Sequence, residues 1–483
     1  MVNRLLAVLS ATAVAVTGFA LCSVGRQDPA PTVMASPISD SVRVEQVRQD
    51  MSPDPAAYEA TGAALASKSE ADHPRLQGQL ETIAKRYGAK SFQVAVIENG
   101  RVTDAFVYGR ANNSQTEILD TKTGTVMVID SGAMTPEHKL RVASLSKVVV
   151  AMTAMALSED GKLDLDGSIG QYWNTAATNR SHPDTPVSIR SILSHTSSLP
   201  AYGDDTSRRY ASVRLRLGAG RFSSVQPGSL DAWSYNNYAF GVLGMTLELS
   251  QNRRYDDIAD EYFFLPLDID AGVVPGELDH PELIADIYRQ GGSVGYSAQA
   301  QRNRHYTYAL GDYGYYFCGG LTISAVDYAK LLAVLVGDGV YEGQRLLSAE
   351  SVAFMENPLG TPAGQVFEQC YPLRLQHDIY GRNRLYYHTG SGWGVYSLAS
   401  YDPDTGDGVV VLTTGASGAK DEHDIYVVCG QMSQAVYDTL RAPLVEYQEK
   451  PATDGYVYVT EKDGTVIEYT DEKDGQVKIL VKE

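Results

Sequence analysis

The chain has 483 residues, 43% of them apolar and 20% charged, a globular balance that excludes wholesale disorder and collagen-like repetition and leaves room for about two to four domains. Lysine and arginine number 40 against 59 aspartates and glutamates, a net charge of −19. A surface this acidic repels phosphate backbones and anionic headgroups, which argues against a nucleic-acid partner.

Residues 1–25 read as a signal peptide or N-terminal anchor: Arg4, an apolar run from Leu5 to Val16, then Gly18-Phe19-Ala20. The run is too short to cross a bilayer core of about 30 Å, and Ser10 and Thr12 weaken it further as a span. Any membrane attachment is therefore expected at this end alone, with the protein secreted or held in the cell envelope. Cys22 suits a lipid-modified N-terminus, although Leu21 stands before it where such signals have a small residue. Residues 26–73, rich in Pro, Ser, Ala and Asp, read as a linker with a short helix around Ala57–Ser67.

A folded domain is expected over 74–445. Leu76, Leu80 and Ile83 fall at helical spacing within His73–Tyr87, and Phe92–Ile97 with Val102–Tyr108 flank Asn99-Gly100 as a hairpin. A long apolar helix is expected from Ser144 to Ser158, closed by Gly161. Late in the chain come strands Tyr386–Thr389, Val395–Tyr401 and Val409–Thr413, then a helix over Ile425–Leu440. Strands early and late, with helices between, predict an α/β (α+β) fold: an antiparallel β-sheet flanked by helices, with a helical insertion at about 166–310. Residues 450–483 predict a small C-terminal β-meander, because Tyr456–Thr460, Thr465–Tyr469 and Gln476–Val481 follow Asp-Gly turn pairs.

Cys22, Cys318, Cys370 and Cys429 are too widely spaced for a zinc or redox motif. Export permits a disulfide, Cys370–Cys429 or Cys318–Cys370, and buried free thiols fit equally well. Asp421-Glu422-His423-Asp424 reads as a solvated loop, and no metal or cofactor is implied. Gly291-Gly292-Ser293-Val294-Gly295 matches a nucleophile-elbow pattern, but charged Arg289 and polar Gln290 stand where a buried strand is required.

Ser144-Leu145-Ser146-Lys147 carries the chemistry. Residues three apart share a helix face, so the Lys147 amine can reach the Ser144 hydroxyl and help remove its proton. A helix start also favours developing negative charge. The bland reading is an ordinary helix start with Ser144 as its cap. A second copy, Ser417-Gly418-Ala419-Lys420, lies among small residues in a loop and is assigned to chance, and Lys122-Thr123-Gly124 precedes the serine and is read as a loop.

With Tyr235-Asn236-Asn237, Leu193-Ser194-His195-Thr196-Ser197-Ser198-Leu199-Pro200, Cys318-Gly319-Gly320-Leu321 and His388-Thr389-Gly390-Ser391 following in order, residues 74–445 resemble the serine β-lactamase and penicillin-binding protein superfamily, in the class C-related branch of D-alanyl carboxypeptidases, D-aminopeptidases and esterases. The resemblance implies that Ser144 is acylated, that Lys147 and Tyr235 move its proton, and that Asn237 orients the substrate amide. It also implies an oxyanion hole from the backbone N–H groups of Ser144 and Ser391, with Thr389 and Gly390 shaping the substrate strand. His195 is read as structural, bonding loop backbone.

His388 departs from the pattern, since lactamases and carboxypeptidases of the resembled family usually carry lysine there as a cation for the carboxylate of penicillins and of D-Ala-D-Ala termini. A histidine, with an ordinary pKa near ~6.5, is mostly neutral at pH 7. An ester or D-amino-acid peptide is therefore the expected substrate. A D-Ala-D-Ala carboxypeptidase, a class C-like β-lactamase and, from another class, a non-catalytic envelope peptide-binding protein remain alternatives. Oligomeric state is left open.

Overall fold

The computed structural model describes residues 55–112, 116–119, 126–129, 132–202, 208–441 and three strands within 456–481. The export signal, Cys22, the Lys122-Thr123-Gly124 loop, the linker before residue 55 and the Asp-Gly turns of the tail lie outside the described residues.

The fold is a seven-stranded antiparallel sheet sandwiched between helices. Its strands are β1 (Ser91–Glu98), β2 (Arg101–Gly109), β3 (Glu368–Gln369), β4 (Arg374–Ile379), β5 (Arg382–Gly392), β6 (Val395–Asp402) and β7 (Asp407–Thr414). They lie side by side in the order β3-β4-β5-β6-β7-β1-β2, so the two ends of the domain meet where β1 pairs with β7, with Ser91 opposite Thr414. The β1–β2 hairpin turns at Asn99 (φ 49°) and Gly100 (φ 74°), both left-handed, the backbone that a tight Asn-Gly turn requires.

Burial on both faces explains why β1 and β7 are nearly continuous in apolar residues. Phe92, Val94, Val96, Val409 and Val411 pack with helix α2 (Pro74–Tyr87) through Leu76, Leu80 and Ala84. The other helix of this layer is α6 (Val427–Arg441), which contributes Val428, Met432 and Val436. The alternate residues Ala95, Ile97, Val410 and Leu412 face the larger core on the other side, which holds α3 (Ser146–Glu159), α4 (Asn237–Gln251) and α5 (Ala325–Val336). Almost every residue of α3 is buried, as its apolar sequence predicts, and Gly161 ends it with φ 67°.

Two expectations are corrected. The short helix placed in the linker is the 18-residue α1 (Pro55–Asp72). The Ser69 hydroxyl accepts the Ala105 N–H at 3.0 Å, so this helix caps a free amide of the sheet-edge strand β2. The second correction is at Ser144, which lies in a 3₁₀ turn, Ala143–Leu145, that precedes α3. No side chain caps α3, so Ser144 is not held as an ordinary helix cap.

Short helices dominate the region between α3 and α5. Gly291 and Gly292, each at φ 90°, turn the small hairpin Ile287–Tyr288/Val294–Tyr296, so the elbow-like motif is a β-turn. Cys318, Cys370 and Cys429 are buried free thiols. The tail strands Tyr456–Thr460, Val466–Asp471 and Val477–Val481 pair antiparallel in sequence order, as a meander does.

Candidate active site

The turn before α3 is fixed from several sides. Ala143 takes φ 51°, left-handed for a residue with a side chain. The Ser146 hydroxyl donates to the Ala143 carbonyl (2.7 Å) and accepts the Leu321 N–H (3.0 Å), and the Tyr328 phenol donates to the Leu145 carbonyl (3.0 Å). Ser144 stays partly exposed inside this brace.

Lys147, fully buried, donates to Ser144 Oγ at 3.0 Å and to the Cys318 carbonyl at 2.6 Å. Its Nζ also lies 5.0 Å from the centre of the Tyr235 ring and 5.7 Å from that of Phe240. A hydroxyl in contact with a buried amine, backed by a phenol-bearing ring, is an arrangement able to generate an oxygen nucleophile and return its proton. The structure thus brings Ser144, Lys147 and Tyr235 together.

The loop bearing Tyr235 is set by buried neighbours. Asn236 caps α4, its Oδ1 accepting the Ala239 N–H at 3.0 Å and its Nδ2 donating to the Leu199 carbonyl at 2.6 Å. That leaves Asn237 exposed on the first turn. The Asn236 N–H donates to His195 Nδ1 at 3.1 Å, and the His195 ring packs 4.5 Å from Tyr235 and 4.9 Å from Phe240. Burial first, then Lys147, His388 and Arg374, holds His195 well below the ordinary histidine pKa.

Strand β5 forms the opposite wall. It must come close to the nucleophile turn: a Cβ on Gly390 would sit 2.2 Å from Ser397 Oγ, 2.5 Å from the Val142 carbonyl oxygen and 3.2 Å from the Ser144 nitrogen. Only glycine fits there, and its fit brings the β5 backbone beside the Ser144 N–H. Thr389 is buried and Ser391 exposed.

His388 is buried, and its ring centre lies 6.3 Å from that of Tyr235. Its Nδ1 donates to the Thr389 carbonyl at 2.7 Å, leaving Nε2 as an acceptor with no hydrogen-bond partner among the described residues. Burial, with Arg374 and then Lys147 nearby, pushes its pKa well below 6.5, so the ring is neutral.

Arg374 is the residue that sequence reasoning missed. It lies on β4 opposite Tyr387, stacks 4.2 Å from Phe367 and 5.7 Å from Tyr235, and pairs with Asp424 at 3.4 Å. A cation therefore stands next to the neutral histidine, supplied by the neighbouring strand. Its signal would have been the turn at Tyr380-Gly381, which folds Arg374 back across from Tyr387.

The sequence profile of the Beta-lactamase family matches residues 76–428. The chain belongs to the Beta-lactamase family. Within it, 255 residues are 30% identical to Protein Rv1367c of Mycobacterium tuberculosis, a match spanning 47% of this chain and 61% of that protein. Penicillin-binding protein 4 of Amycolatopsis lactamdurans is 22% identical over 74% of this chain and 88% of its own. The D-amino acid amidase of Ochrobactrum anthropi SV3 superposes with a TM-score of 0.55 at 20% identity, over 76% of this chain and 98% of its own. A D-alanine carboxypeptidase from Burkholderia cenocepacia does so at 0.54 and 16%, over 77% and 99%. These likenesses establish the β-lactamase/transpeptidase-type fold, and the family is one of serine hydrolases.

Proposed function

We propose that the protein hydrolyses an ester or peptide of D-amino-acid type through an ester formed on Ser144. The 3.0 Å contact between Lys147 Nζ and Ser144 Oγ carries this reading. Ser144 Oγ adds to the substrate carbonyl carbon, and its proton passes to the Lys147–Tyr235 pair. The N–H groups of Ser144 and Ser391 hold the resulting oxyanion. The C–N or C–O bond then breaks, the leaving group takes the proton, and water cleaves the Ser144 ester by the reverse sequence. Asn237 orients the substrate amide, and Thr389 and Gly390 present the strand beside which it lies.

Arg374 sharpens the substrate. The neutral His388 cannot hold a carboxylate, but the guanidinium beside it can, and forked Arg–carboxylate pairs are strong. A leaving group that ends in a carboxylate, as a D-amino acid does, suits this wall. With Arg374 in that place, the absent lysine at 388 does not by itself favour a binding-only protein. The names of the amidase and carboxypeptidase neighbours support the same class. Export to the cell envelope is part of the proposal and rests on the N-terminal sequence.

The test is hydrolysis of a depsipeptide whose leaving group is D-lactate, beside its D-lactamide analogue. Faster release of D-lactate is expected; equal rates would remove the carboxylate from the proposal.

A further inference from the structure

Resting on that reading, the departing group sits beside Tyr235, His388 and Arg374, so the acyl part of the substrate runs the other way, past Ser391 toward Trp393. Beyond Ser391, arginine side chains and aromatic rings pack together around Trp393. Arg141 Cζ lies 3.7 Å from the centre of the Trp393 ring and 5.3 Å from that of Tyr315, and Arg208 Cζ lies 4.9 Å from the same Tyr315 ring. Tyr315 opens the short helix Tyr315–Gly319 that also supplies the Cys318 carbonyl holding Lys147.

Both arginines are more than nine-tenths buried, at 8% and 7% exposure. Arg141 Nε donates to the Gly319 carbonyl at 2.8 Å, and Arg208 Nη1 reaches only Cys318 Sγ, at 3.9 Å. Among the described residues, the buried Arg141 Nη2 and Arg208 Nε have no hydrogen-bond partner. Among the described residues, neither guanidinium has a carboxylate in ion-pair range. Elsewhere in this acidic chain arginines do find one, as Arg190 does with Asp166, Arg254 with Glu277 and Arg382 with Asp407. A guanidinium does not lose its proton, so two of them buried together with N–H groups to spare and no counter-ion among the described residues are a costly arrangement until an anion arrives.

We propose that Arg141 and Arg208, sharing the Tyr315 ring beneath Trp393, form a subsite for a carboxylate on the acyl portion of the substrate. The substrate then carries negative charge at both ends, one carboxylate on the Arg374 side and one here, with the scissile carbonyl between them over Ser144. The aromatic walls exclude water, which strengthens each charged contact. A purely structural role, with the arginines as struts stacked on rings, would give no selectivity between charged and neutral acyl groups.

The test uses two thioesters with the same thioglycolate leaving group: N-succinyl-D-alanyl, which ends in a carboxylate, and N-methoxysuccinyl-D-alanyl, its neutral cap. The full-length protein should favour the succinyl substrate about tenfold or more in kcat/KM. Arg208→Gln should bring that ratio to within about twofold of one, and Arg208→Lys should retain part of it. A ratio near one in the unmodified protein, or a ratio unchanged in a normally melting Arg208→Gln protein, overturns the subsite. The same pair is compared by calorimetric binding to the Ser144→Ala protein. There a tenfold affinity difference upholds the subsite and equal affinity overturns it, whatever the fate of the acyl-enzyme reading, which fails separately if neither thioester shows Ser144-dependent turnover.

Discussion

The two walls that flank Ser144 are held by different means. On the α3 side, Lys147 reaches the hydroxyl from three residues away, and the Ala143–Leu145 turn is tied to Tyr328 directly and to Leu321 through the Ser146 hydroxyl. On the β5 side, a neutral His388 stands beside an arginine from another strand that shares its charge with Asp424. On the proposed function, the first wall makes and breaks a bond and the second holds charge. Damage to the first should therefore lower kcat whatever the substrate, and damage to the second should change which substrate is preferred.

The sharpest attempt to break this division is Lys147→Met, a side chain of similar length without charge. We expect kcat to fall about 10³-fold for esters with charged and neutral leaving groups alike, with KM little moved, read by steady-state kinetics. Because a buried charge is being replaced by an apolar chain, the fold should survive. An effect confined to KM would place Lys147 on the binding side. Next in size is Arg374→Gln, for which the preference for a D-lactate over a D-lactamide leaving group should shrink about 10–50-fold, mainly through KM. A loss falling equally on both substrates would merge the two walls.

His195→Phe tests the loop that carries Tyr235. It leaves the Asn236 N–H without its acceptor beside Tyr235, so about 1–3 kcal/mol of stability should be lost in a denaturant titration. Unchanged stability would mean that the Tyr235 loop is held without it.

The smallest effect is electrostatic. His388 has a folded pKa depressed below 6.5, chiefly by burial, so the unfolded chain binds the extra proton first as the pH falls. The stability that its neutral ring contributes is complete above about 6.5 and is lost progressively below it, at up to about 1.4 kcal/mol per pH unit. His195, also buried and depressed, and His138, pushed down to about 4 mainly by burial, act in the same direction. His388→Gln should therefore unfold less steeply between pH 6.5 and 5 than the unmodified protein. KM for a carboxylate-bearing substrate should stay flat from pH 6 to 8, since the proposed binding cation is an arginine. A KM that climbs as the pH rises through 6.5 would return the charge to His388.

What the sequence revealed follows the range of the interactions. The Ser144–Lys147 contact spans three residues and the Asn99-Gly100 hairpin spans two, so both were legible from local spacing. Meeting of the chain ends could be inferred from early and late strands, but the register that sets Arg374 opposite Tyr387 could not. β4 is short and mixes Arg374, Gln376, His377 and Asp378 with its apolar residues, which hides its alternation. The need for glycine at 390 is likewise invisible locally, because the atoms it avoids belong to Val142, Ser144 and Ser397. The longer α1 escaped notice because its docking depends on one serine meeting a sheet-edge amide.

The central claim is that the Ser144 oxygen becomes transiently acylated. Rapid-quench intact-mass measurement after mixing with an activated thioester tests it most directly. The account predicts one added acyl group on the native chain, mapped to the peptide containing Ser144 and absent from Ser144→Ala. The same adduct, or undiminished turnover, in the Ser144→Ala protein would contradict it.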